Sequence, residues 1–210
     1  MNRELKHIKL NENKWDKWSS SLDSDGWKYR FLRQAQQSVI SLLDIKEGAH
    51  FLDVGCGTGW AVGQVIKSIN GKGYFYGVDL SGKMIEKAKE NFGENENIHF
   101  IKANAESIPL EDNYFDFIIC TNSFHHYLNP HKVLKEFYRL IKPGGKVYIL
   151  DPAADSWLIK AIDIIVRMLE PEHVKLYSTE EFKNLFAAAG LRYSSPEIVK
   201  HHQKVHVGIK

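Results

Sequence analysis

Apolar and polar positions change their spacing repeatedly along the chain, and each change predicts a new element. Short apolar runs are typical of buried strands, whereas apolar residues at helical spacing are typical of amphipathic helices. The runs predict strands near residues 50–54, 74–78, 98–101, 115–120 and 146–150. The helical spacing predicts helices near residues 27–43, 59–69, 82–91, 131–141, 156–169 and 179–188. Because strands and helices alternate, we expect an α/β fold with a parallel sheet covered on both faces.

The end of the chain has a different pattern. Two further strands, near residues 192–199 and 203–209, follow each other without a helix between them. Such a pair predicts an antiparallel hairpin at the edge of the sheet. The expected sheet is therefore mostly parallel, with an antiparallel last strand.

A glycine-rich turn joins the first central strand to the next helix, in Phe51-Leu-Asp-Val-Gly-Cys-Gly-Thr-Gly-Trp60. Glycine permits positive φ and a close approach of a ligand to the backbone, and a helix N-terminus favours a carboxylate or phosphate. Trp60 stands where the dinucleotide fingerprint has its third glycine, and no Gly-Lys-Ser/Thr follows, so neither that fingerprint nor a P-loop is present. The second strand ends at Asp79, where a carboxylate is placed to accept both hydroxyls of a ribose.

Two stretches together resemble a known family. Leu52-Asp-Val-Gly-Cys-Gly-Thr-Gly59 and Gly77-Val-Asp-Leu-Ser-Gly-Lys-Met84 look like the class I S-adenosylmethionine-dependent methyltransferases. The similarity is greatest to their small-molecule branch, methyltransferase type 11, which includes quinone-biosynthesis enzymes. It implies a Rossmann-like, doubly wound seven-stranded sheet and S-adenosylmethionine as cofactor, with S-adenosylhomocysteine as product. It also implies methyl transfer to a small-molecule acceptor by in-line displacement.

The resemblance also implies a set of cofactor-binding residues. Asp53 would help hold the methionine amino group, although it is equally suited to cap the backbone of the glycine turn. Met84 would pack on the adenine face, with ordinary core packing as the alternative. Asn104, where the family usually has an acid, would accept a hydrogen bond from the adenine amino group. The full predicted set is Asp53, Gly55, Cys56, Gly57, Gly59, Asp79, Leu80, Met84, Asn104, Ala105 and Thr121.

Two adjacent histidines, His125 and His126, follow the fourth central strand and are the candidate catalytic residues. Either one would orient substrate or take a proton, or would instead close the loop by hydrogen bonds. His173 and Tyr177 are further candidate bases. We expect no metal site, because adjacent side chains point apart and no third ligand is spaced nearby in the sequence.

Domain organisation is predicted as one domain over residues 27–210, preceded by a segment of residues 1–26 with a break at residues 19–26. That segment is either a lid that excludes water or a surface helix whose tryptophans, Trp15 and Trp18, cover the core edge. Residues 152–178 are predicted to form a wall of the acceptor pocket. A packing helix and a dimer contact are the alternatives for this insertion.

The composition of the chain argues against several classes of partner and location. The formal net charge of +2, from 28 basic and 26 acidic residues, gives no support for nucleic acid as a partner. Cys56 and Cys120 lack disulfide or metal spacing, and no apolar run long enough to span a membrane and no signal peptide is evident, so we expect a cytoplasmic protein. A homodimer is one option for its assembly. The alternative functions are a non-catalytic S-adenosylmethionine-binding partner or regulatory protein, and another nucleotide-dependent enzyme on the same fold.

Overall fold

The computed structural model describes residues 3–19, 27–200 and 203–210. These residues form seven strands, seven α-helices and a short 3₁₀ helix, Phe124–His126. The helices are α1 (Arg3–Trp18), α2 (Trp27–Leu42), α3 (Trp60–Ser68), α4 (Gly82–Phe92), α5 (Pro130–Leu140), α6 (Trp157–Leu169) and α7 (Thr179–Ala189). The strands are β1 (His50–Val54), β2 (Tyr74–Asp79), β3 (Ile98–Lys102), β4 (Phe115–Thr121), β5 (Ile141–Pro152), β6 (Arg192–Lys200) and β7 (Gln203–Ile209).

The strands form one seven-stranded sheet in the order β3-β2-β1-β4-β5-β7-β6. The pairs among β1 to β5 are parallel, and β7 is inserted antiparallel between β5 and β6. This topology confirms the predicted fold class. The strand order reverses between β1 and β4, and in open α/β sheets ligands bind outside the carboxyl ends of the strands at such a switch point.

The two faces of the sheet are buried under different helices. Side chains of successive strand residues point to opposite faces, so Leu52 packs in a core with Phe137 of α5 and Phe182 of α7. Its neighbour Phe51 packs on the other face with Val62 of α3. Full burial of each such side chain contributes about 1.5–3 kcal/mol to stability.

The observed elements differ from the predicted ones mainly around β5. This strand begins at Ile141, directly after α5, rather than at residue 146, because Ile141 already pairs with Phe115 of β4. The register shifts between Phe115 and Phe117, where β5 carries extra residues around Pro143-Gly-Gly145. The 3₁₀ helix was not predicted. Residues 20–26 of the predicted break lie outside the described residues.

Helix α6 has little contact with the rest of the protein. It buries only Ile159 and Asp163, while Trp157 and Met168 are each 80% exposed. The packing of α6 is therefore confined to Ile159 and Asp163, and the packing helix stays a prediction beside the pocket wall and the dimer contact. Within the described ranges, no helix combines the length and the apolarity needed to cross a membrane.

Candidate active site

A cavity lies outside the carboxyl ends of β1, β2 and β4, at the switch point of the sheet. Nine of the eleven predicted cofactor residues line it, and Asp53 and Gly59 do not. The nine are Gly55, Cys56, Gly57, Asp79, Leu80, Met84, Asn104, Ala105 and Thr121. The fold thus brings motifs from four separate loops to one cavity, although their role as cofactor ligands stays a prediction.

The glycine turn is enclosed by its neighbours. The backbone N–H groups of Gly55 and Cys56 donate to the carbonyl of Val78, at 2.8 and 3.0 Å. Gly55 has a φ of +79°, and a Cβ at this position would lie 2.5 Å from Ser123 Oγ. A side chain here would therefore clash, so the floor of the cavity is bare backbone that a ligand can approach closely.

Asp79 is held by the same turn. Its Oδ2 accepts a hydrogen bond from the backbone N–H of Gly57, and its Oδ1 accepts one from the N–H of Ser81, both at 2.9 Å. Burial raises the pKa of Asp79, and the hydrogen bonds from Ser81 and Gly57 oppose that rise. Each carboxylate oxygen keeps acceptor capacity for a further donor, as two neighbouring hydroxyls would require.

Asp53 lies beneath this site and is fully buried. Neither of its carboxylate oxygens has a hydrogen-bond partner among the described residues. The predicted cap on the glycine turn is therefore wrong. Burial, with the nearby charge of Asp79, raises the pKa of Asp53 to about 8. A buried carboxylate without a donor is costly unless a proton or a cationic group satisfies it.

Gly59 has a structural task in addition to any contact with a ligand. It precedes α3 with a φ of +86°. A Cβ here would lie 2.9 Å from the rings of Phe92 and Phe100. The glycine thus allows the turn to pack against α4 and β3.

On the other side of the cavity, Met84 and Asn104 each form a hydrogen bond with a nearby residue in the sequence. Met84 is 1% exposed, and its backbone N–H donates to Ser81 Oγ at 3.1 Å, which caps α4. The Oδ1 of Asn104 accepts a hydrogen bond from the N–H of Glu106 at 3.1 Å. Glu106 in turn accepts from Asn129 Nδ2 at 2.9 Å. Asn104 still has a second lone pair and its amide N–H groups.

Several residues that line the cavity were not predicted. Gln36 of α2 donates to Thr121 Oγ1 at 2.9 Å, and Ser123 Oγ donates to the Tyr127 hydroxyl at 3.0 Å. Burial raises the pKa of Tyr127. Arg33 and Gln36 also line the cavity, three positions apart. This helical spacing on a polar edge of α2 was the signal available in the sequence.

Helix α1 covers the cavity. It lines the cavity with one face, at the helical spacing of Glu4, His7, Ile8, Asn11 and Trp15. This arrangement fits a covering helix, whereas the movement of a lid stays a prediction.

Both ends of α1 are attached to the rest of the site. His7 Nε2 donates to the His126 carbonyl at 2.8 Å. Towards its other end, Asp16 Oδ1 accepts from Ser81 Oγ and, at 3.4 Å, from the N–H of Lys83.

The two candidate catalytic histidines have different environments. His126 lines the cavity, and its Nδ1 donates to the Glu172 carbonyl at 3.0 Å. Burial, followed by the nearby His125, lowers the pKa of His126 well below its ordinary value, so its ring is neutral at pH 7. His125 does not line the cavity, and Asp151, whose importance the sequence did not indicate, holds both its ring and its backbone N–H, at 2.7 and 2.8 Å.

A third histidine joins this pair. One ring nitrogen from each of His125, His126 and His173 lies within 4.8 Å of those from the other two. The expectation that no third metal ligand lies nearby is therefore wrong, because the fold brings together residues that are far apart in the sequence. Tyr177 is unsuited to act as a base, because burial raises its pKa to about 12.

Residues 152–178 do not line the cavity in the described structure. They reach it only indirectly, through Glu172 and His173 beside His126. The predicted wall of an acceptor pocket stays a prediction, and so does a dimer contact at this segment.

Comparisons with known proteins agree with this geometry. Residues 52–149 match a family described as a methyltransferase domain. The chain is 34% identical over 134 residues to a malonyl-[acyl-carrier protein] O-methyltransferase of Marinomonas sp., a match that covers 64% of this chain and 48% of the relative. It is 32% identical over 153 residues to a demethylmenaquinone methyltransferase of Staphylococcus epidermidis, which covers 70% of this chain and 63% of the relative. The chain thus spans less than two thirds of the length of these curated relatives.

A solved structure is similar over nearly the whole chain. The crystal structure of an S-adenosylmethionine-dependent methyltransferase from Aquifex aeolicus is 27% identical, with a TM-score of 0.72. The match covers 92% of this chain and 97% of that one.

Proposed function

Because residues 52–149 match a methyltransferase-domain family, as the motifs predicted, we propose that the chain transfers a methyl group from S-adenosylmethionine to a small-molecule acceptor. The observation that carries the proposal is the pairing of the glycine turn with Asp79. Backbone N–H groups fix both oxygens of this carboxylate at the edge of a cavity. A carboxylate oriented in this way suits the two hydroxyls of a ribose.

The residues present fit the cofactor of this family. Gly55 leaves a space that a Cβ would fill. Asp53, beneath the cavity, is a buried acid without a donor, and it would give up its proton when a cationic amino group is bound above it. Asp79 would hold the ribose, while Met84 and Asn104 would contact the adenine. When bound, S-adenosylmethionine supplies a sulfonium methyl group that a nucleophile can take by in-line displacement.

The remaining residues of the cavity would bind and orient the acceptor. They lie on the α1 and α2 side, where Ile8, Trp15 and Leu32 are apolar and Arg33 and Gln36 are polar. Alignment of an acceptor in a site shielded from water is a major source of rate acceleration. The two curated relatives are named for malonyl-[acyl-carrier protein] and demethylmenaquinone, which supports a small acceptor group rather than nucleic acid.

If the acceptor arrives protonated, His126 is the best-placed base. It is neutral, it lines the cavity, and its Nδ1–H is committed to the Glu172 carbonyl. Its Nε2 is therefore the atom that would take a proton. His125 would act as a positioning residue for the loop.

Calorimetric titration with S-adenosylmethionine and S-adenosylhomocysteine, beside NAD and ATP, tests this proposal. We expect binding of the first pair only, with Asp79→Ala weakening it at least ~100-fold, because two charge-assisted hydrogen bonds contribute about 1.5–3 kcal/mol each. Asp44→Ala is the matched control, since the ion pair between Asp44 and Lys46 is exposed. Failure to bind the pair, or preferential binding of NAD, would refute the cofactor.

Turnover is tested separately by release of S-adenosylhomocysteine with phenol, thiol, carboxylate and quinol acceptors. Binding without release from any acceptor class would favour the non-catalytic alternative.

A further inference from the structure

Three histidines from two distant parts of the chain meet beside the cavity. His125 and His126 lie in the 3₁₀ helix after β4, and His173 lies in the loop after α6. The ring centroid of His125 lies 4.1 Å from that of His126 and 5.2 Å from that of His173. The loop is fixed there because the N–H groups of Val174 and Lys175 donate to the carbonyl of His125, at 2.9 and 3.2 Å.

Each ring has its tautomer set by a partner that can only accept a hydrogen bond. His125 Nδ1 donates to the Asp151 carboxylate at 2.7 Å, and His126 Nδ1 donates to the Glu172 carbonyl at 3.0 Å. His173 Nε2 donates to the Asp163 carboxylate at 2.7 Å. In the neutral form of such a ring, the other nitrogen carries a lone pair that can bind a metal ion.

None of these three lone pairs has a hydrogen-bond partner among the residues that the structure describes. One ring nitrogen from each of the three histidines lies within 4.8 Å of those from the other two. Four-coordinate zinc with Zn–N distances of about 2.0–2.1 Å needs its nitrogens about 3.3 Å apart. Small side-chain rotations would close the remaining gap.

The surroundings of the three rings resemble the outer shell of a metal site. Histidine ligands of metals usually donate their second nitrogen to a carboxylate or a backbone carbonyl, which orients the ring and raises its basicity. Asp151 and Asp163 are 1% and 2% exposed, so their charges are poorly screened by water. The cations Lys14 and Arg167 near the cluster are both paired with carboxylates: Lys14 with Glu170 at 2.7 Å and with Glu172, and Arg167 with Asp163.

We propose that His125, His126 and His173 bind one divalent transition-metal ion, for which Zn²⁺ is the best match. Imidazole suits Zn²⁺, Co²⁺, Ni²⁺ and Cu²⁺, whereas Mg²⁺ and Ca²⁺ prefer oxygen ligands. Three protein ligands leave a fourth position open, as in catalytic rather than structural zinc sites.

The proposal has one consequence for the chemistry, and this consequence rests on the proposed function. A hydroxyl or thiol bound to such an ion loses its proton to solvent more easily, because the cation stabilises the oxyanion or thiolate. Metal binding would occupy His126 Nε2, so this role excludes that of His126 as a base.

Cobalt substitution tests the site without any methyl acceptor. The full chain, freed of metal with a chelator, is titrated with Co²⁺ and followed by visible absorption, and Zn²⁺ affinity is measured by displacement of Co²⁺. We expect one equivalent of Co²⁺ with the strong bands of tetrahedral coordination. His173→Ala and His126→Ala should weaken binding at least ~100-fold, and Asp151→Asn about 10–100-fold, as outer-shell partners do.

His131→Ala is the matched control, since this histidine is exposed on α5 and should leave the titration unchanged. Circular dichroism checks the folding of each variant, and His125→Ala replaces any buried variant that does not fold. Absence of tetrahedral bands in the unmutated protein, or unchanged binding in the folded histidine variants, would overturn the proposal. S-adenosylhomocysteine binding measured in the same samples separates failure of the metal site from failure of the cofactor site.

Discussion

The glycine turn and the histidine cluster lie at the same edge of the sheet but are built in different ways. The turn and Asp79 come from one stretch, residues 53–84, and backbone hydrogen bonds hold them together. The cluster joins the end of β4 to a loop 47 positions further on, from His126 to His173, and its orienting carboxylates come from β5 and α6. A local site can be recognised from a short motif, whereas the cluster exists only after the chain has folded.

The two regions also differ in how their buried acids are satisfied. Asp53, under the glycine turn, has no hydrogen-bond partner among the described residues. Asp163, behind the cluster, accepts from His173 Nε2 at 2.7 Å, from the Leu176 N–H at 2.9 Å, and from Arg167. Replacement of the acid by a neutral side chain should therefore stabilise the first region near neutral pH and destabilise the second.

The largest expected effect is the pH dependence caused by Asp53. Its pKa is raised from 3.8 to about 8, so the folded protein keeps this proton while the unfolded chain loses it above about pH 4. Stability should therefore fall as pH rises from 4 to 8. Asp53→Asn removes this pH dependence. The free energy of unfolding of the variant, relative to that of wild type, should therefore rise by on the order of 4 kcal/mol between pH 5 and 8.

Urea unfolding at several pH values measures this difference, and titrations shared by both proteins cancel. Asp112→Asn is the control, because this carboxylate is 65% exposed in its ion pair with Arg139. A stability difference for Asp53→Asn that stays constant across this range would show that Asp53 is ionised when folded.

Asp163→Ala, in contrast, is expected to destabilise the protein. The substitution leaves the buried His173 Nε2 and Leu176 N–H without an acceptor, which should lower the free energy of unfolding by about 3 kcal/mol. Faster exchange of the Leu176 amide hydrogen would locate the change. Asp112→Ala again serves as the exposed control, expected within about 1 kcal/mol of wild type. Equal losses of stability for Asp163→Ala and Asp112→Ala would show that the buried hydrogen bonds of Asp163 stabilise the protein no more than an exposed ion pair.

The strain in the glycine turn is measured by comparing two glycines with the same backbone conformation. Gly48 and Gly59 have φ values of +84° and +86°, but a Cβ on Gly48 would meet nothing within 4 Å. Gly48→Ala should therefore cost about 1 kcal/mol, the strain of positive φ alone. Gly59→Ala should cost about 1–2 kcal/mol more, because the rings of Phe92 and Phe100 must move. Thermal unfolding of both variants gives the comparison, and equal costs would argue against tight packing at Gly59.

The same contrast explains what the sequence could and could not predict. The seven-stranded fold and nine of the cavity residues follow from motifs whose residues are near one another in the chain, such as Gly55 to Asp79. The 3₁₀ helix and the role of Asp151 were not predicted, because they depend on contacts between residues far apart in the sequence. The helical apolar pattern of α6 predicted a helix correctly but not its exposure, since periodicity does not state which surface covers an apolar face.

The smallest predicted effect concerns α1, which joins the two regions. His7 donates a hydrogen bond to the carbonyl of His126 near one end of α1. Near the other end, Asp16 accepts one from Ser81 beside the glycine turn. Asp16→Ala removes the second attachment. If α1 acts as a lid over bound cofactor, S-adenosylhomocysteine should dissociate faster and bind about 5-fold more weakly, the equivalent of one hydrogen bond of about 1 kcal/mol.

Stopped-flow dissociation of S-adenosylhomocysteine measures the effect, with Glu90→Ala as a control that removes an exposed carboxylate from α4. His7→Ala tests the other end, and a matching increase in the dissociation rate would indicate that α1 opens as one body. An increase for Asp16→Ala alone would indicate that only the end beside the glycine turn opens. Unchanged rates for both variants would contradict a lid, because α1 would then cover the cavity without controlling access to it.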